Sequence, residues 1–146
     1  MKKIIMLLLV LLLFSCDNKK ILLMENNQKE KEEIIVVYKD YMKLHIEGLN
    51  LDTGRLTRPE YNKREASSLK LKAKTFLNKL EKMEFKNEDY KEILNEIILA
   101  TEYIENFSEY LESNTEFIMS TDYIDVAFEN SKKISELSRK AGLEID

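Results

Sequence analysis

Residues 87–113 read NEDYKEILNEIILATEYIENFSEYLES. Tyr90, Leu94, Ile97, Thr101, Ile104, Phe107 and Leu111 recur at spacings of 3 and 4, which places them on one stripe of a helix. Ile93, Ile98 and Ala100 widen that stripe, as a helix facing a core requires. Asn87 is placed to cap the first turn, and Glu88 and Asp89 sit near the positive end of the helix dipole. A stripe this wide must be buried by other elements. The rest of the chain supplies more helices to do so.

Upstream, Thr57, Pro59 and Glu60 form a helix start in which Thr57 and Glu60 have capping-box spacing. The stripe behind it is Ala66, Leu69, Ala73, Phe76, Leu80 and Met83. Further upstream, Ile35, Tyr38, Met42, His45 and Leu49 predict a helix from about residue 28 to residue 48, followed by a loop over residues 50–56. Downstream, Ser113 with Glu116 and Thr121 with Asp122 offer two alternative starts for a last helix. Its stripe is Ile124, Ala127, Ser131, Ile134, Ser138 and Ala141, and Gly142 marks its stop. Three glycines and one proline are too few for many hairpins. The expectation is an all-α domain over residues 28–146, an antiparallel up-down four-helix bundle.

The N-terminus carries a different message. Lys2 and Lys3 precede an apolar run from Ile4 to Phe14, and Leu13-Phe14-Ser15-Cys16 follows. A short basic start and an apolar run of this length have the form of an export signal, and the run is shorter than the roughly 20 residues a membrane-spanning helix needs. Leu13, Ser15 and Cys16 resemble the lipobox of bacterial lipoproteins, a resemblance confined to about the first seventeen residues. It implies that residues 1–15 are removed as a signal peptide and that Cys16 is lipidated with diacylglycerol. Residues 16–27 would then form the lipidated N-terminus and a tether. That tether contains the apolar Ile21, Leu22, Leu23 and Met24, which extend the first helix or dock on the bundle or the membrane surface. The implied location is membrane-anchored and extracytoplasmic, on the cell membrane or the outer membrane.

Cys16 is the only cysteine, so no internal disulfide forms and packing must supply the stability. The chain has a net charge of −4, and without residues 1–15 it has 21 basic and 27 acidic residues, a net of −6. That sign argues against nucleic-acid binding. The charge is segregated: residues 55–86 carry +6 and residues 87–129 carry −11. Two neighbouring helices of complementary charge explain this. The alternative is an acidic face that steers a basic partner. Glu105, Glu109, Glu112 and Glu116 form one acidic ridge at helical spacing and are the candidate interaction surface.

No catalytic set emerges. Asp52-Thr53-Gly54 matches the tripeptide of retroviral-type aspartic proteases, but it lies between helices, has no second copy, and reads as a turn. His45 is the only histidine and falls on an apolar stripe, so it cannot build a histidine-rich metal site. It could act as one axial haem ligand, with Met42, Met83 or Met119 elsewhere in the bundle. The sequence therefore points to a non-enzymatic, lipid-anchored envelope module that binds an envelope protein, with no cofactor and no metal. The alternative is a carrier holding a small apolar ligand or haem within the bundle.

Overall fold

The computed structural model describes the backbone of residues 2–54, 59–113 and 121–143, and the side chains of residues 24–51, 63–113 and 123–143. All regular structure among the described residues is helical: α1 (Lys2–Gly54), α2 (Pro59–Leu80), α3 (Glu88–Ser113) and α4 (Thr121–Lys140). The result is an all-α four-helix bundle. Cross-helix ion pairs fix its directions. Asp40 meets Lys79 and Glu47 meets Lys72, so α1 and α2 run antiparallel. Lys70 meets Glu109 while Ser67 meets Glu112, and Lys133 meets Glu96 while Tyr123 stacks on Phe107, so α2–α3 and α3–α4 are antiparallel as well. α3 is central and touches all three other helices, α2 most extensively, whereas α2 and α4 lie on the diagonal.

The α3 stripe is buried from Tyr90 through Phe107, and Ile93 and Ile97 are fully enclosed. Against it pack Ala66, Leu69, Ala73, Phe76 and Leu80 of α2, together with Ile34, Val37, Tyr41 and Leu44 of α1. A second, smaller cluster at the other end joins Phe107, Tyr123 and Ala127. Its centre is an aromatic stack, with the Tyr123 ring 3.6 Å from that of Phe107 and 5.5 Å from that of Tyr103.

Local chemistry sets the ends of the elements. Asn87 Oδ1 accepts from the amides of Asp89 (2.9 Å) and Tyr90 (3.3 Å), the expected N-cap of α3. Just ahead of it, the Glu30 carboxylate of α1 accepts from the amides of Lys86 and Asn87, which pins the α2–α3 turn to the first helix. At the end of α4, Gly142 takes φ +69°, Gly142 N–H donates to the Arg139 carbonyl and Leu143 N–H donates to the Ser138 carbonyl. This is a Schellman stop, closed by the buried Leu143.

Three expectations need correction. α1 continues through Asn50 to Gly54 where a loop was expected, because Leu51 lies two turns beyond Leu44 on the same face and is buried with it. Asp52-Thr53-Gly54 accordingly belongs to the last turn of α1. The core stripe of α1 is Ile34, Val37, Tyr41, Leu44 and Leu51, whereas the expected Ile35, Tyr38 and Met42 are partly buried on its flank. In α4 the buried residue of the first turn is Tyr123, and the neighbouring Ile124 is 42% exposed. α4 begins at Thr121, the second of the two starts, and α1 runs on through residues 16–27, one of the alternatives for that segment. Thr57 lies outside the described residues.

Candidate functional site

The acidic ridge faces the basic helix. Lys70 Nζ lies 3.2 Å from Glu109 and 3.2 Å from Glu112, and Ser67 Oγ donates to Glu112 at 2.7 Å. The Ser67 hydroxyl and the Lys70 ammonium hold the Glu112 carboxyl below its usual range, and the same two carboxylates raise Lys70. Glu109 and Glu112 therefore close the α2–α3 interface, as complementary helices would. Glu105 is half-buried on the same ridge, and Glu116 lies outside the described residues.

A groove of about 510 Å³ runs along α1 and α2 on the opposite side of α2 from the ridge. Leu44, Phe76 and Leu71 give it an apolar floor and edge. Two cross-helix pairs bridge it: Lys72 to Glu47 at 2.8 Å and Lys79 to Asp40 at 3.3 Å. Lys43 also reaches Asp40, at 3.1 Å. Burial pushes the Asp40 carboxyl up, but Lys43 and Lys79 outweigh it and leave the group below its usual value. Leu71 is 67% exposed and stands between lysines 70 and 72. The sequence hid this groove because Leu71 falls outside the α2 stripe and its α1 wall comes from charged positions that read as solvated.

His45 is buried, as its stripe position implied, with its ring 5.7 Å from that of Tyr41. Burial lowers its pKa, and its Nδ1 has no hydrogen-bond partner. Desolvation first, and then the neighbouring phenols, raise both Tyr41 and Tyr123. Met42 shares the helix of His45. Met83 follows the end of α2. Met119 lies outside the described residues. Among the described residues no group of three or more histidine, cysteine or acidic side chains is placed to hold a metal, and no helix is long and apolar enough to cross a membrane.

No family model, curated protein or solved structure matches the chain.

Proposed function

We propose that this chain is a lipid-anchored envelope module, non-enzymatic, whose bundle binds a protein partner. The anchor rests on Leu13, Ser15 and Cys16. The binding reading rests on one observation, the apolar groove between α1 and α2 with exposed Leu71 at its edge. Apolar surface framed by charged residues is the usual make-up of a protein contact. The partner segment that suits it is acidic with an apolar anchor, because α2 and its following turn carry eight basic residues against four acids. The internal pairing of Glu109 and Glu112 leaves the ridge a secondary, steering role.

The test places a photo-crosslinker at position 71 and maps the crosslinked peptide in the native envelope. An acidic partner segment supports the reading, and loss of the crosslink on Lys72→Glu with Lys79→Glu supports it further. A basic segment, or a crosslink indifferent to those changes, overturns it. The anchor is tested separately: Cys16→Ser abolishes lipid labelling and signal removal, and normal processing in that variant rules the anchor out. The alternative, a carrier of a small apolar ligand, is favoured only by the size and apolar floor of the same groove. A lipid or chromophore recovered with the extracted protein at one-to-one stoichiometry would favour it.

A further inference from the structure

The α1–α4 seam is unlike the other helix pairs. Among the described residues it is the smallest interface between helices that touch. The only histidine of the chain, more than nine-tenths buried, lies one turn before Gly48 and Leu49, which meet the Tyr123 cluster of α4. Three buried side-chain atoms have no hydrogen-bond partner among the described residues, and all three belong to these two helices: His45 Nδ1 on α1, and Tyr123 Oη and Ser138 Oγ on α4. The Tyr123 hydroxyl of α4 lies over Gly48 of α1, one turn beyond His45. Polar groups buried without partners weaken the contact that buries them.

We propose that the α1–α4 seam is an acid-operated release point, in which protonation of His45 frees α4 from α1 while α1, α2 and α3 stay packed. A neutral imidazole is tolerated in this seam. An imidazolium without a counter-charge is not, because the protein must either solvate it or neutralise it. Among the described residues no charged group acts on His45, whose surroundings contribute desolvation alone. Among the described residues, the titratable group against it on its own helix is Tyr41, and Tyr123 of α4 stands by Gly48 one turn on; both are neutral phenols whose ionisation burial opposes. The buried faces of α3 (Ile97, Thr101, Ile104) and of α2 (Ala66, Leu69, Ala73) carry no charge. The cation must therefore reach water. Parting α1 from α4 disrupts the least contact, since Glu30, Asp40 and Glu47 tie α1 to the α2 side of the bundle. Opening delivers His45 and the Tyr123 hydroxyl to solvent together.

The single histidine makes the test direct, because its imidazole gives one NMR resonance in the full chain held in detergent. That resonance should titrate below the ordinary histidine value. Amide exchange, corrected for intrinsic rates, should then accelerate in α4 by about tenfold per pH unit as pH falls from the ordinary histidine pKa to the lower pKa of that resonance, the slope of one proton taken up per opening. Amides in the middle of α2 and α3 should keep their protection. His45→Phe, which stacks on Tyr41 and cannot charge, should abolish the acid-induced exchange. An ordinary histidine titration in the parent chain overturns the proposal even if no variant folds. So does acid exchange that rises equally in α2, α3 and α4, or that persists in His45→Phe.

Discussion

Gly48 and Tyr123 occupy one space: a Cβ on Gly48 would overlap the Tyr123 hydroxyl. Tyr123 cannot retreat, because its fully buried ring stacks on Phe107 at 3.6 Å. Gly48 is mid-helix, where alanine would normally gain about 1 kcal/mol in propensity. Here the overlap decides the sign. Gly48→Ala should destabilise the chain by about 1–3 kcal/mol, the usual range for overpacking. Tyr123→Phe removes the overlapping oxygen and an unpaired buried hydroxyl at once, so it should be neutral or stabilising by itself and should restore the Gly48→Ala variant. Thermal melts of the two single variants and the double variant check this, and a double variant no better than Gly48→Ala would refute it.

The buried α3 residues Ile97 and Ile93, with Leu80 of α2, carry the main core. Ile97→Ala or Leu80→Ala should cost about 2–5 kcal/mol, since both side chains are fully enclosed and each leaves a cavity. Leu71→Ala, at 67% exposure, should shift stability by less than about 0.5 kcal/mol. Chemical denaturation followed by circular dichroism distinguishes the two classes.

The difference between those classes was readable in α2 and α3, where the buried residues follow one stripe each and the apolar Leu71 and Leu99 fall off it and stay exposed. It was not readable in α1. There Ile34, Ile35, Val36 and Val37 follow one another, so two adjacent stripes are both apolar and periodicity cannot rank them. Tertiary packing chose the stripe through Tyr41 and left Val36 52% exposed. The same limit applies at Tyr123-Ile124, where the aromatic stack with Phe107 takes the buried place from isoleucine. The acidic ridge was legible as a ridge. That two of its members close on Lys70 depends on register between helices, which spacing within one helix does not carry. The Glu30 clamp on the α2–α3 turn was invisible for the same reason, as its partners lie 56 and 57 positions away.

Gly142 should resist substitution for a backbone reason. No neighbouring atom crowds it, but its φ of +69° disfavours any side chain. Gly142→Ala should cost about 1 kcal/mol, and Gly142→Asn less, because asparagine tolerates the left-handed region. The loss should appear as earlier amide exchange in the last turn of α4. Equal stability of the alanine variant would mean that Leu143 does not need the Schellman stop to reach the core.

The Glu112–Ser67–Lys70 cluster predicts a pH signature opposite in origin to that of His45. The Ser67 hydroxyl, then Lys70, depress the Glu112 carboxyl below its ordinary value of 4.5. A carboxylate with a depressed folded-state pKa binds fewer protons folded than unfolded, so it contributes stability above its unfolded value and loses it as pH falls through the folded one. Glu112→Gln should therefore lower the melting temperature slightly at neutral pH. The gap between variant and parent should close below about pH 4.5, once the parent carboxyl is also protonated. Because the pair lies near the surface, high salt should shrink the same gap. His45 is common to both chains, so its acid effect cancels in the difference. A gap that survives strong acid would show that Glu112 acts through packing rather than charge. It would also remove the case for reading the ridge and α2 as electrostatic complements.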